Sequence, residues 1–319
     1  MRVLITGGKG QLGRQLAQTL REDSAEPAAK PGTGGVELFL YGHQELDITD
    51  PDLVQDVFRR GEPDVVIHCA AYTNVDGCER DPDLAFRINA LGTRNVAVAA
   101  QKVGAKLIYI STDYVFDGFD EADGFTGSPE LTGRARKRAY TEFDRTNPLS
   151  IYGRSKLAGE HYVLTLSRQA FIVRTSWLYG HGGNNFVRTM LRLARERKEE
   201  LANGVAIDPL RVVDDQVGSP TYAGDLARVI AMLMRTELYG VYHVSNAGST
   251  SWYEFTRNIL GLAGLKGVPV VPIKTAELGR PAPRPAYSVL DNYCLRLEGF
   301  PTPRPWREAL EEFLATEPD

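Results

Sequence analysis

A glycine-rich turn after the first apolar run constrains the fold more than any other feature of this sequence. Residues 2–6 read RVLIT, which is typical of a strand, and TGGKGQLG leads from there into a helical pattern. Gly7, Gly10 and Gly13 have G-x-x-G-x-x-G spacing, and Gly8 completes a G-x-G-x-x-G. Such a turn lets the backbone approach a pyrophosphate at a helix N-terminus, so it predicts a dinucleotide site. A P-loop NTPase is not expected, because no Lys follows the last glycine.

Short apolar runs alternate with helical patterns through the first half of the chain. Strands are predicted at 2–6, 36–42, 64–71, 106–112 and 171–177, and helices at 12–20, 51–60, 82–103 and 151–168. Residues 64–71, DVVIHCAA, are almost continuously apolar, as in a strand that is buried on both faces. The alternation predicts an α/β protein with a Rossmann-type, doubly wound parallel sheet.

The second half is less regular and predicts a smaller C-terminal α/β substrate-binding domain. Helices are predicted at 185–197, 222–236 and 306–316, strands at 240–246 and 268–273, and an extended loop at 274–305. The predicted division is a dinucleotide-binding domain at 1–178, to which segments from 205–245 can return, and a mainly substrate-binding domain at 179–319. Residues 22–35 have linker composition, and the Gly-rich residues 118–139 form either a lid or a disordered loop.

Composition and charge argue against several kinds of protein. The net charge of −4 argues against a nucleic-acid partner, and no apolar run approaches the roughly 20 residues that cross a membrane. Met1 leads directly into a strand pattern rather than a signal peptide, so a cytoplasmic location is expected. The cysteines, Cys69, Cys78 and Cys294, do not cluster with the five histidines at zinc spacing, and no metal site is predicted. We expect Cys69 to be a core residue.

The second predicted strand lacks the acidic residue that binds the ribose 2′-OH of NAD in many dinucleotide folds. The strand ends in Tyr41, Gly42 and His43, and the carboxylates Glu45 and Asp47 come later. NADPH is therefore the predicted cofactor, with NADH as an alternative. The prediction fails if kcat/KM with NADH exceeds that with NADPH by about tenfold, a difference of about 1.4 kcal/mol.

The next strand and helix bring together a hydroxyl, a phenol and an amine. Ser111 and Thr112 end the strand at 106–112, and ligands of open parallel sheets bind at that edge. Tyr152 and Lys156 are i and i+4, so they share a helix face, where an ammonium group can lower a phenol pKa. This set resembles the extended branch of the short-chain dehydrogenase/reductase superfamily.

Longer segments resemble one family of that branch, the dTDP-4-dehydrorhamnose reductases. The similar segments are GQLG at 10–13, AAYTNVDGCE at 70–79, STDYVFDG at 111–118, PLSIYGRSKLAGE at 148–160, RTSWLYG at 174–180, NNFVRTMLRLA at 184–194, DDQVGSPT at 214–221 and RPAYSVLD at 284–291. The resemblance implies reduction of the 4-keto group of dTDP-4-dehydro-L-rhamnose to give dTDP-L-rhamnose. The resemblance is also compatible with a homodimer.

The resemblance implies a role for individual residues. Tyr152 gives a proton to the developing alkoxide, Lys156 stabilises the tyrosinate and holds the nicotinamide ribose, and Thr112 hydrogen-bonds the ketone or the phenol. The implied cofactor-binding residues are Gly7, Gly10, Gln11, Leu12, Gly13, Asp47, Ile48, Ala70, Ala71, Tyr72, Thr73, Tyr152 and Lys156. The implied substrate-binding residues are Thr112, Asp113, Trp177 and Arg284, the last as a partner of the diphosphate.

The sequence departs from the family pattern in two places, and three other functions stay open. The stretch 118–139 is longer than usual, and Gln15 stands where some members have a magnesium-binding carboxylate.

The first alternative function is that of a ketoreductase for another dTDP-4-keto-6-deoxysugar. The second is a regulatory subunit like the beta subunit of methionine adenosyltransferase, which the intact Thr112, Tyr152 and Lys156 disfavour. The third is a nucleotide-sugar epimerase, which would hold NAD tightly through purification.

Overall fold

The structure is a computed structural model that describes residues 1–25, 35–119 and 138–317. Most of the two predicted insertions, 22–35 and 118–139, lies outside the described residues. The predicted start of the first insertion at residue 22 is too early, because the first helix continues to Ala25.

Six parallel strands form the central sheet, which confirms the predicted fold class. The strands in the described part of the chain are β1 Arg2–Thr6, β2 Glu37–Tyr41, β3 Val65–His68, β4 Lys106–Thr112, β5 Ala170–Thr175, β6 Leu178–Tyr179, β7 Leu210–Val213, β8 Val217–Gly218, β9 Thr221–Tyr222, β10 Gly240–His243, β11 Thr250–Ser251 and β12 Val270–Ile273. The sheet order is β10-β5-β4-β3-β1-β2. The carboxyl ends of β4 and β5 are in register, with Thr112 opposite Thr175.

Helices cover both faces of this sheet. The α-helices of the described residues are α1 Gln11–Ala25, α2 Pro51–Gly61, α3 Val75–Arg80, α4 Pro82–Phe86, α5 Thr93–Val103, α6 Ile151–Leu166, α7 Phe186–Ala202, α8 Ala223–Leu233, α9 Trp252–Leu262, α10 Thr275–Leu278, α11 Tyr293–Leu297 and α12 Trp306–Thr316. Successive β1 side chains point to opposite faces. Val3 and Ile5 pack in the cluster with α1 and α8, whereas Leu4 packs in the cluster with α2, α5 and α6.

The long helix predicted at 82–103 is confirmed, and within it a π-helical segment, Arg87–Gly92, joins α4 to α5. Asn89 within this segment is fully buried and bonds both to Tyr72 and to Ser155 of α6. These tertiary bonds accompany an extra residue in the helical turn, which apolar periodicity could not reveal.

Several other boundaries also differ from the prediction. The strand predicted at 171–177 ends at Thr175, because Trp177 has a left-handed backbone with a φ of +45°. The predicted loop at 274–305 contains α10 and α11. Cys69, predicted as a core residue, is only partly buried because it follows β3 at the edge of a cavity.

The second half of the chain has its own apolar cluster but also contributes to the central sheet. α7, α9 and α12 bury Leu191, Ile259 and Leu310 together, beside the parallel pair β7 and β12. In contrast, α8 packs on α1 and β10 pairs with β5. The division at residue 178 stays a prediction.

In residues 1–25, 35–119 and 138–317, no helix is long and apolar enough to span a bilayer. In the same residues, no group of three or more His, Cys, Asp or Glu side chains is placed to hold a metal ion.

Candidate active site

A cavity of about 780 Å³ runs along the carboxyl ends of the parallel strands. All the predicted site residues line it except Arg284. They are Gly7, Gly10, Gln11, Leu12, Gly13, Asp47, Ile48, Ala70, Ala71, Tyr72, Thr73, Thr112, Asp113, Tyr152, Lys156 and Trp177. The fold therefore brings together residues that lie up to 170 positions apart, at the sheet edge where such folds bind ligands.

The glycine turn at one end of the cavity is shaped for a close ligand. Gly7 has a φ of +66°, and a Cβ there would lie 2.7 Å from the Ala70 nitrogen. A Cβ at Gly13 would lie 2.5 Å from the Gly7 oxygen. The first N–H groups of α1 have no partner within the helix, so they are available to a phosphate. These features fit a dinucleotide pyrophosphate.

A carboxylate does stand at the end of β2, contrary to the expectation from the sequence. Glu45 turns back, and its Oε2 accepts a hydrogen bond from the Gly42 N–H at 3.0 Å. Its other oxygen pairs with Lys9 of the glycine turn. Lys9 lines the cavity and Glu45 lies beside it as its ion-pair partner, so both signs of charge lie at this end.

The start of α6 places Tyr152 against the end of β4. Ser150 caps the helix by accepting the Gly153 N–H at 3.1 Å. A Cβ at Gly153 would lie 2.1 Å from the carbonyl oxygen of Tyr114, so only glycine lets the start of α6 approach this backbone so closely. The Tyr152 ring lies edge-on to the Tyr114 ring, with centroids 5.8 Å apart.

The phenol of Tyr152 is held in its protonated form. Burial raises its pKa above the usual value, and a hydrogen bond with Thr112 acts in the opposite direction. The sequence suggested instead that Lys156 lowers this pKa. In the structure the Lys156 ammonium group donates to the Ile110 oxygen at 2.7 Å. A protonated phenol is the form that a proton donor requires.

Lys156 is a nearly completely buried cation. Burial lowers its pKa to about 7, while the negative charge of Glu160 opposes this shift. Its Nζ also lies 4.1 Å from the centre of the Tyr109 ring. Glu160 is itself buried and accepts from Arg174 at 2.7 Å and from Ser111 at 2.5 Å.

The carboxyl group of Asp113 lies between the two halves of the chain. Ser288 donates to its Oδ2 at 2.6 Å, and Thr112 donates to its Oδ1 at 3.1 Å. Burial raises the pKa of Asp113 to about 7, although both hydrogen bonds act to lower it. This side chain is therefore fixed beside the Thr112 hydroxyl.

Arg284 does not line the cavity. Its guanidinium group donates to Asp76 at 3.0 Å and to the Ala282 oxygen at 3.0 Å. Its side chain is only 12% exposed, so it is not a solvated arginine.

Comparisons with known proteins agree with this geometry. A family model described as the RmlD substrate binding domain matches residues 1–318. The dTDP-4-dehydrorhamnose reductase of Mycobacterium tuberculosis is 40% identical over 317 residues, which are 98% of this chain and 92% of the relative. The chain belongs to the dTDP-4-dehydrorhamnose reductase family.

Two further relatives bear on what this reductase-family chain binds. A crystal structure of dTDP-4-dehydrorhamnose reductase from Bacillus anthracis, in complex with NADP, is 46% identical with a TM-score of 0.82 and covers 99% of each chain. A probable dTDP-4,6-dihydroxy-2-methyloxan-3-one 4-ketoreductase of Streptomyces antibioticus is 40% identical, over 98% of this chain and 94% of the relative.

The sequence did not single out two buried residues of the reductase-family site, Asn89 and Glu160. Asn89 bonds the backbone of Tyr72 at the cavity wall, and Glu160 lies one helical turn after Lys156. A signal was present in each case. For Asn89 the signal is the low helix propensity of Asn, which is unusual in a helix interior. For Glu160 the signal is its position four residues after Lys156, which places both side chains on one helix face.

Substitution of Gly13 with Ala is expected to weaken dinucleotide binding by at least about tenfold and to destabilise the fold by about 1–3 kcal/mol. The reason is that the added Cβ would lie 2.5 Å from the Gly7 oxygen and push apart the turn. The measurements are NADPH titration and thermal unfolding. Gly267→Ala is the matched control, because a Cβ there would meet no described atom within 4 Å apart from those of Gly267 and its two chain neighbours. Unchanged NADPH affinity in Gly13→Ala would contradict the assignment of this turn.

Proposed function

We propose that the protein reduces the 4-keto group of dTDP-4-dehydro-L-rhamnose with NADPH to give dTDP-L-rhamnose. The observation that carries the proposal is the position of Thr112, Tyr152 and Lys156 in the same cavity as the glycine turn. The turn fits a dinucleotide, and the three side chains fit proton transfer at the site of hydride addition. The named relatives at 40–46% identity support this choice of reaction.

Each residue has a distinct part in the proposed reaction. NADPH, when bound, supplies the hydride to the sugar C4. Tyr152 gives its phenolic proton to the ketone oxygen as that oxygen gains negative charge, and Thr112 orients the phenol. Lys156 carries the positive charge that offsets the developing tyrosinate. Asp113 and Trp177 contact the sugar.

Arg284 contacts the diphosphate in this proposal only after its ion pair with Asp76 opens. The cofactor-binding roles of the turn residues and of Asp47, Ile48 and residues 70–73 follow the family pattern. A homodimer and a cytoplasmic location stay predictions.

NADPH is the proposed cofactor and NADH an alternative, because the end of the cavity near β2 contains both Lys9 and Glu45. Lys9 suits a 2′-phosphate, whereas Glu45 suits a free 2′-OH. The crystal structure of the Bacillus anthracis relative holds NADP. We expect kcat/KM with NADH to stay below about ten times that with NADPH, a limit of about 1.4 kcal/mol.

Another dTDP-4-keto-6-deoxysugar is the second candidate substrate. The Streptomyces antibioticus relative has a different keto sugar in its name and is as similar as the rhamnose enzyme of Mycobacterium tuberculosis. The same Tyr152 and Lys156 would serve both reactions. The sugar-contacting residues alone would differ.

The test follows NADPH oxidation at 340 nm with dTDP-4-dehydro-L-rhamnose that is generated in the cuvette by upstream enzymes. Product identity is established by mass and NMR. Turnover to dTDP-L-rhamnose is the expected result. Turnover to a different epimer would contradict dTDP-L-rhamnose as the product but would agree with the proposed hydride and proton transfer. Bound NADPH without turnover of any dTDP-4-keto sugar would favour the regulatory-subunit alternative.

A further inference from the structure

Trp177 has a backbone conformation that an ordinary side chain rarely adopts. Its φ of +45° makes it one of two described non-glycine residues with a left-handed backbone. It follows β5, and Thr175 of β5 is opposite Thr112 of β4, so Trp177 lies at the same end of the cavity as Tyr152. Such a conformation persists only where the surroundings hold it.

Two residues from the second half of the chain hold the indole. The ring of Trp252 stacks on that of Trp177, with centroids 3.4 Å apart and an angle of 6° between the planes. Gly218 meets the same indole so closely that a Cβ there would lie 2.5 Å from Trp177 ring atoms. The Phe186 ring also contacts the Trp252 ring, with centroids 4.4 Å apart.

Trp252 and Gly218 belong to one small structural unit. β8 and β11 pair antiparallel, with Thr250 opposite Gly218, and Trp252 directly follows β11. Ser251 stabilises this unit, because its hydroxyl donates to Asp214 at 2.5 Å and the residue caps the N-terminus of α9. In the described part of the chain, neither Trp252 nor Gly218 lines the cavity, so both act on it through Trp177.

We propose that Trp252 and Gly218 are positioning residues that hold the Trp177 indole against the hexose of the nucleotide sugar and so set its affinity. An indole packs against the apolar hydrogens of a sugar ring, and its N–H can donate to a hydroxyl. The identity of the ligand as a dTDP-hexose rests on the proposed function. The glycine turn follows β1, three strands from β5 along the same edge of the sheet, so we expect NADPH affinity to depend less on this stack than sugar-nucleotide affinity does.

The experiment compares Trp252→Ala, Trp252→Phe and Gly218→Ala with the unaltered protein. Calorimetry gives the Kd of dTDP-L-rhamnose and of NADPH, and kinetics with the keto sugar gives KM and kcat. Trp252→Ala and Gly218→Ala should raise the Kd and KM of the sugar nucleotide by at least about fivefold, the scale of one lost aromatic contact. Trp252→Phe, which keeps a stacking ring, should stay within about twofold.

Trp306→Phe is the control for the loss of a buried indole, because Trp306 packs in the second-half core away from the cavity. It should lower the melting temperature and leave both Kd values unchanged. Sugar-nucleotide affinities of Trp252→Ala and Gly218→Ala that match the affinity of the unaltered protein would overturn the inference, as would a loss of NADPH affinity as large as the loss of sugar-nucleotide affinity. If Trp252→Ala does not fold, Gly218→Ala decides. If the unaltered protein binds NADPH but no dTDP-sugar, the proposed function and this inference both fall.

Discussion

Tyr152→Phe is expected to lower kcat by about 10²- to 10⁴-fold while the Kd of NADPH stays within about twofold. The substitution removes the phenolic proton and leaves the ring, including its edge-on contact with Tyr114. The effect should fall on kcat because the proton is needed only as the alkoxide forms. Steady-state kinetics and NADPH titration measure the two quantities separately.

Tyr162→Phe is the matched control for this variant. Tyr162 lies on the same helix, outside the cavity lining, and its ring faces the guanidinium of Arg94. It should keep the kcat of the unaltered protein. A near-normal kcat in Tyr152→Phe would remove Tyr152 as the proton donor, and the buried carboxyl of Asp113 would become the next candidate.

Lys156→Met is expected to lower kcat/KM by at least about 100-fold and yet to stabilise the folded protein. The activity falls because the proposed reaction loses the positive charge that offsets the developing tyrosinate. The stability rises because a buried ammonium group is replaced by an apolar side chain of similar length. The gain is about 1–3 kcal/mol at pH 7, after allowance for the lost bond to the Ile110 oxygen.

The pH dependence of this gain separates burial of the charge from better packing. The pKa of Lys156 is about 7 in the folded protein, compared with an ordinary value of 10.5. Between these values the unfolded chain binds a proton that the folded chain does not, so the unaltered protein gains stability as pH rises. The advantage of Lys156→Met should therefore be largest below pH 7 and vanish above about pH 10.5.

Urea unfolding at several pH values measures this difference, with Lys102→Met as the control. Lys102 is exposed and bonds only Gln55 among the contacts that the structure describes, so its substitution should change stability by less than about 0.5 kcal/mol at any pH. A Lys156→Met variant that is less stable at pH 7 would show that Lys156 contributes more through its contacts than burial of its charge costs.

The local parts of the fold could be predicted from the sequence. The first strand, the glycine turn and α1 follow from propensity, glycine spacing and apolar periodicity, all within 25 residues. The parallel sheet follows from the repeated alternation of strands and helices. Tyr152 and Lys156 were recognised because their spacing places them on one helix face, and the structure puts both in the cavity.

Features that depend on distant contacts could not be predicted. The left-handed backbone of Trp177 depends on Gly218 and Trp252, and the buried carboxyl of Asp113 depends on Ser288, 175 residues away. Arg284 looks from the sequence like a free cation in a Pro-rich loop, but the fold gives it Asp76 as a partner. Neither strain nor pairing of this kind leaves a periodic signal in a chain.

The return of β10 to the edge of the central sheet has a consequence for engineering this enzyme. Without β10, β5 would become an unprotected edge strand, and without α8 the apolar face of α1 would be bare. A fragment that stops after β5 would thus be prone to aggregation. A chimera that exchanges the second-half apolar cluster with that of a relative must cut the chain after β5, before α8 and after β10, so that α8 and β10 stay with their own sheet.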